Sequence, residues 1–136
     1  MTSAPFDTFV AQLNTSLVFG SGNQGFTSDG RGYALARDNT GAVWTAGVLR
    51  GSTCNFSGNI VNSPNYNFYL SKLNSSCVFS NFSSGVSSSG NSIPSDIVIS
   101  SGNNVILTGD VTGNVSFGTK NVSVSANSFV SAVYTI

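Results

Sequence analysis

The chain has 136 residues, and only 7% of them are charged: five basic, five acidic and no histidine. Ordinary soluble domains carry roughly 25% charge, so solubility here rests on Ser, Thr, Asn and Gly. The balance offers nothing to a polyanion, which excludes nucleic acid and anionic membranes as electrostatic partners. The missing imidazole removes the commonest general base and metal ligand.

Residues 1–8, MTSAPFDT, are a lead-in without the basic-then-apolar plan of a signal peptide. The weakly charged polar surface is that of extracellular, cell-surface or virion proteins. A surface location would then need another export route, packaging with a virion, or a processed chain. From residue 9 onward, short apolar segments alternate with turn clusters. FVAQLN, SLVFG, YALARD and AVWTAGV read as four strands, and FYLSKLN, CVFSNF, DIVISS and NVILTGD as four more. DNTG (38–41) and SGNN (101–104) read as turns. No apolar i, i+3, i+4 pattern persists for three turns, so almost no helix is expected, and no run is long enough for a membrane-spanning helix. The regular Val, Ile, Leu and Phe argue against disorder.

The segments repeat. VAQLNTSLVF (10–19) matches LSKLNSSCVF (70–79) at a spacing of 60, and YALARDNTGAVWTAG (33–47) matches SDIVISSGNNVILTG (95–109) at 62. The two extra residues fall in the Ser-rich loop 83–92, where insertion costs little. Phe56 matches Phe117 at 61, and Tyr69 matches Phe129 at 60. Two units therefore cover 9–68 and 69–128, and residues 129–136 are the first strand of a third, a closure or donor strand. Ile97-Val98-Ile99 and Val105-Ile106-Leu107 are apolar on both parities, the pattern of strands covered on both faces. Repeated four-stranded sheets stacked face to face are the blades of a propeller.

The ordered pieces Asp7-Thr8-Phe9-Val10-Ala11-Gln12-Leu13-Asn14, Asp38-Asn39-Thr40-Gly41-Ala42-Val43-Trp44-Thr45-Ala46-Gly47 and Phe117-Gly118 make this resemblance specific. The chain resembles the SBBP-type β-propeller repeat over nearly its whole length. The second unit departs from the pattern, with Ser100 where Asp is usual and Asn103 where Gly is usual. Asn tolerates left-handed backbone, so the turn survives. The resemblance implies an all-β array of consecutive four-stranded antiparallel blades. It also implies an extracellular or surface repeat protein, and supplies no shared catalytic site.

Two blades cannot close a ring, since propellers typically use 4–8, so the array is incomplete as a single chain. Either the chain is a segment of a longer propeller, or copies complete a ring, or a terminal strand adds to another chain and builds an open fibre. The expected partners are copies of the chain or further repeats of the same protein. The alternative is a glycan, bound as in a propeller lectin.

Candidates for chemistry are sparse. The serines lack a base, and Lys72 and Lys120 stand in no S-x-x-K sequence. Asp7, Asp29, Asp38, Asp96 and Asp110 are scattered at turns and strand starts, where Asp forms caps. No catalytic residue, cofactor or metal site is expected. Asp38-Asn39-Thr40-Gly41 offers oxygen ligands for calcium, but a plain hairpin turn fits better, because the closing Glu of such loops is missing. The glycine-rich GSGNQG (20–25) and SDGRG (28–32) are loops, lacking the Lys and helix of a phosphate loop. Trp44 aligns with Ile106, which favours a core position over a sugar-stacking one. Arg31, Arg37 and Arg50 are the other conspicuous side chains, and Arg50 follows a strand, free to reach a ligand or a carboxylate. Cys54 and Cys77 align with Val115 and Leu17, which favours two buried thiols over a disulfide. Six N-x-S/T sequons, at Asn14, Asn55, Asn74, Asn81, Asn114 and Asn121, are candidate glycosylation sites.

Overall fold

The computed structural model describes residues 6–87 and 89–134, with side chains described up to 125. Every element is a β-strand: β1 Thr8–Leu13, β2 Phe19–Gly25, β3 Arg31–Arg37, β4 Val43–Phe56, β5 Asn59–Leu73, β6 Phe79–Ser84, β7 Val86–Ser87, β8 Asn91–Ile99, β9 Val105–Phe117 and β10 Lys120–Tyr134. All strand pairs are antiparallel. Six of the eight segments read as strands lie largely in strands, but SLVFG and CVFSNF begin in turns, with β2 and β6 starting only at Phe19 and Phe79, and GSGNQG, read as a loop, forms most of β2. Val43 and Val105 begin strands of 14 and 13 residues, which run well past the segments expected from composition.

Hydrogen bonding groups these strands into three open sheets. A first sheet holds β1 and β2. The middle sheet has the order β3-β4-β5-β6. In the third, β9 pairs β10 on one edge and β7 and β8 on the other. The middle sheet thus takes β3, β4 and the first part of β5 from one sequence unit, and the rest of β5 with β6 from the next. The seam between units, near residue 68, falls inside β5.

Local chemistry explains the connections. Four of them are the same turn. In each, the amide of residue i donates to the carbonyl of residue i+4, the amide of residue i+3 donates to the carbonyl of residue i, and residue i+3 has positive φ. The turns begin at Asn14, Asp38, Asn74 and Ser100, and their left-handed residues are Leu17 (59°), Gly41 (87°), Cys77 (58°) and Asn103 (62°). Each first residue steadies its turn with a side-chain oxygen. Asn14 Oδ1 accepts from the amides of Ser16 and Val18, Asn74 Oδ1 from those of Ser76 and Val78, Asp38 Oδ1 from those of Thr40 and Ala42, and Ser100 Oγ from that of Asn104. Asn103 takes the left-handed place of Gly41, as expected. The β4–β5 hairpin closes on Ser57-Gly58, both with positive φ, the pattern of a type I′ loop.

Two cores separate the three sheets. Between the first and middle sheets, Val10 packs with Leu49, Cys54, Phe56, Tyr69, Leu73 and Phe79. Phe56 is the hub, with ring centroids 4.9 Å from Tyr69 and 5.1 Å from Phe79. Between the middle and third sheets, Trp44, Ala46, Phe68 and Leu70 pack with Ile97, Val105 and Leu107, and Phe68 stacks on Phe117 at 5.1 Å. We call the side of a sheet toward the first sheet its front, and the other its back. Trp44 is a buried core residue on the back of the middle sheet. Both thiols are free and buried.

Among the described residues, burial on both faces holds for the middle sheet alone. Ile97 is buried, but Val98, on the opposite face of β8, is 49% exposed. This corrects the reading of Ile97-Val98-Ile99 as covered on both sides. Parity places the two sets of side chains on opposite faces, and among the described residues the third sheet has a neighbour on its front only.

Candidate functional site: open sheet surfaces and an ionic cluster

The exposed apolar side chains follow the repeat. Phe9, Leu13 and Phe19 of the first sheet correspond to Tyr69, Leu73 and Phe79 of the middle sheet, which are at most 5% exposed. The first three are 74%, 43% and 72% exposed, because among the described residues no further sheet lies on their front. Leu17 and Cys77 show the same contrast: equivalent turn positions, one 77% and the other 7% exposed. Cys77 is covered by β2, where Ser21 Oγ donates to its Sγ at 3.4 Å. On the back of the third sheet, Val98 and the half-buried Ile106 stand where Ala36 and Trp44 stand on the middle sheet.

Among the described residues, β1 pairs only β2. Beside its other edge, β3 passes with Tyr33 46% and Leu35 61% exposed. The groove between them is lined by Thr8, Phe9, Val10, Tyr33, Leu35 and Thr45. Scattered exposed hydrophobes are ordinary; a contiguous apolar groove beside an unpaired strand edge marks an interaction surface.

A second concentration of chemistry lies where the β2–β3 loop meets the β4–β5 hairpin. The amides of Ser28 and Asp29 both donate to Arg50 O at 3.0 Å. That contact brings Asp29 to Arg31, 3.4 Å from Nε to Oδ1, and to the Tyr66 hydroxyl, which donates to Oδ2. The Arg50 guanidinium lies 4.7 Å from the Tyr66 ring centre, and Arg31 lies 5.5 Å from that of Phe6. The Asp29 hydrogen bond, then burial, pushes the Tyr66 hydroxyl above its ordinary value. Two guanidiniums, a carboxylate and two rings can bind a polar planar or hydroxylated group. They contain no nucleophile with a base. Neither the Asp29–Tyr66 contact nor the stacking of Arg50 had a sequence signal, since the groups lie 37 and 16 positions apart.

The remaining singled-out residues act locally. Both oxygens of Asp38 are engaged: Oδ1 also accepts from Thr40 Oγ1 at 2.5 Å, and Oδ2 from Trp44 Nε1 at 3.2 Å and Lys72 Nζ at 3.4 Å. Asp38-Asn39-Thr40-Gly41 forms the hairpin turn between β3 and β4. Arg37 Nε donates to Gly41 O across the same turn. Asn39 is joined to the equivalent turn of the next sheet, its amide donating to Asn103 Oδ1 and its Nδ2 to Ser101 O. Asp7 accepts from the Thr27 amide and from Gln24 Nε2, and Asp96 from its neighbour Ile97. Asp110 and Lys120 are exposed on β9 and β10.

Of the sequon asparagines, Asn14 and Asn74 hold turns and Asn55 Oδ1 accepts from the Gly58 amide. Asn81 is exposed with φ of 44°. Asn114 and Asn121 sit on paired strands, where Ser123 Oγ donates to Asn114 Oδ1 and Ser116 Oγ donates to Asn121 Oδ1. The two N-V-S triplets form a reciprocal cross-strand pair, a structural reason for their spelling independent of modification. No protein-family model, curated protein or solved structure matches this chain.

Proposed function

We propose that this protein is a non-enzymatic structural and adhesive surface module. It is a two-unit portion of a propeller-like array of the SBBP repeat type, which associates with further copies or repeats into a ring or fibre. The supporting observation is the match of its two outer faces. Each presents apolar side chains at repeat positions whose equivalents are buried between sheets within the chain. Phe9, Leu13 and Phe19 front one end, and Val98 and Ile106 back the other.

Light scattering across a concentration series tests this. The mass is expected to rise above the 14.0 kDa of one chain, and to return toward it in the Phe9→Ser, Leu35→Ser variant. Those two side chains are 74% and 61% exposed, so their loss leaves the fold intact. A single-chain mass at every concentration overturns the reading. The lectin alternative is favoured by the Arg50–Tyr66–Asp29 cluster. Selective binding on a glycan array, abolished by Arg50→Ala, would establish it.

A further inference from the structure

The duplicated first strand gives the association a definite geometry, which rests on the self-association reading above. Thr8-Phe9-Val10 of β1 is repeated as Ser128-Phe129-Val130 of β10. In the middle sheet β5 pairs β4 along one edge and β6 along the other. Residues 128–134 likewise pair β9. Strand β1 has its β6 equivalent, β2, yet among the described residues the edge that in β5 carries β4 is unpaired. The groove beside that edge lies over Tyr33 and Leu35. One sheet further along, the corresponding space is filled by Ala34, Ala36, Trp44 and Ala46 of β3–β4, packed on Ile97, Val105 and Leu107. What β1 lacks is therefore a β3–β4-like pair presenting an apolar back. Among the described residues there is one other such pair, β8–β9, and its back is open at Val98 and Ile106.

We propose that β1 of one copy docks on the β9 edge of a second copy in place of that copy's residues 128–134. The β8–β9 pair of one chain and β1–β2 of the next then form one four-stranded sheet. The register is that of β5 on β4. Tyr69 stands opposite Gly47 and Leu73 opposite Val43, so Phe9 comes opposite Gly109 and Leu13 opposite Val105. The resident tail sits one residue away from this register: Val130, not Phe129, stands opposite Gly109. Incoming β1 thus restores the pairing of the middle sheet. Phe9, Leu13 and Phe19 of the incoming copy are covered by the receiver's middle sheet, while Val98 and Ile106 of the receiver cover Tyr33 and Leu35. One arrangement buries every one of these exposed side chains, using only the kind of sheet contact already present twice within the chain. It is head-to-tail, so it propagates or closes into a ring according to its rotation.

Cysteine trapping tests the register. Trp44 stands opposite Lys72, which places Ile106 opposite Gln12 of the incoming copy. The variant carrying Gln12→Cys and Ile106→Cys, with Cys54→Val and Cys77→Leu removing the native thiols, should give a ladder of disulfide-linked oligomers. Either new cysteine alone should stop at a dimer. Deleting residues 129–136 removes the competing strand and should lower the apparent dissociation constant by at least about tenfold, because the receiving edge is then always available. Growth in mass without the ladder overturns this register while self-association stands. A single-chain mass for every variant overturns self-association itself. Weaker association after the deletion makes the tail the donor strand and overturns the exchange.

Discussion

At the scale of single residues, two side chains show how environment decides an otherwise identical repeat position. Tyr69 is buried between sheets, and its hydroxyl shares a 2.9 Å hydrogen bond with Thr8; Phe9 at the equivalent position is exposed. Burial pushes the Tyr69 hydroxyl above its ordinary value of 10.0, against the opposing hydrogen bonds of Thr8 and Thr45. A raised value in the folded state means that stability is fully present below the unfolded value of 10.0 and is lost as pH rises through the folded one. Tyr69→Phe should cost about 0.5–1.5 kcal/mol in urea unfolding at neutral pH for the lost bond, and should flatten the alkaline loss. Leu17 and Cys77 both occupy left-handed backbone, which disfavours a side chain by about 1–2 kcal/mol. Leu17→Gly should therefore raise the melting temperature, since an exposed side chain forfeits no packing. Cys77→Gly should not, because that side chain is buried. Asp38 is held well below its ordinary value of 3.8, first by the Thr40 hydroxyl and then by Trp44 and the Ala42 and Thr40 amides, with burial opposing. Its contribution is present above the unfolded value and lost as pH falls toward the folded one. Melting temperatures from about pH 5 down to 2 should accordingly fall less steeply for Asp38→Asn than for the natural protein.

At the scale of elements, the glycine ending the D-x-x-G-x-V-W-x-x-G segment has a packing cause. β3 bulges between Gly32 and Ala34 where it passes β4, and β8 bulges between Pro94 and Asp96 where it passes β9. The bulge pushes a carbonyl at the opposite strand. A Cβ on Gly47 would lie 2.0 Å from Arg31 O, and one on Gly109 would lie 2.2 Å from Ile93 O. Gly109→Ala should separate β8 from β9 and cost on the order of 1–3 kcal/mol as an overpacked backbone contact. Hydrogen exchange should show the loss at residues 91–99 first. Gly47→Ala should be worse, since the same Cβ also meets the Tyr69 ring at 2.7 Å. The turns at Asp38 and Ser100 were legible in the sequence because their chemistry is local, a side-chain oxygen accepting from an amide four residues on. Those at Asn14 and Asn74 use the same chemistry but were masked by the apolar Leu17-Val18-Phe19 and Cys77-Val78-Phe79 that follow. The bulges were not legible, because the carbonyl that demands glycine comes from a strand 16 residues away.

At the scale of the molecule, the sheets are the units of packing and the sequence repeat is not. The middle and third sheets are each built across a repeat boundary, by the long β4–β5 and β9–β10 hairpins. Such stitching ties consecutive units together, so cutting the chain between β4 and β5 should unfold both cores rather than release a stable half. A nick engineered at Ser57-Gly58, followed by circular dichroism, checks this. The expected outcome is one cooperative loss of strand signal, because Leu49, Cys54, Phe56, Tyr69, Leu73 and Phe79 form one core on the two sides of the nick. The single-chain variants Phe9→Ser and Leu35→Ser should, by contrast, keep that transition and lose only association.

Residue order alone carries the period, the all-β character, the turns at 38–41 and 101–104, the left-handed Asn103 and the interior place of Trp44. All of these depend on residue parity, on side chains reaching their own backbone, or on comparison of one repeat with the next. Only the tertiary structure decided how strands divide among sheets, why Gly47 and Gly109 are required, and that Asp29, Arg31, Arg50 and Tyr66 meet. It also decided which apolar faces are covered. Alternation states that a strand has two faces and which residues lie on each. Whether a sheet lies against a given face depends on strands far away in the chain, or in another copy, and local spacing carries no record of them.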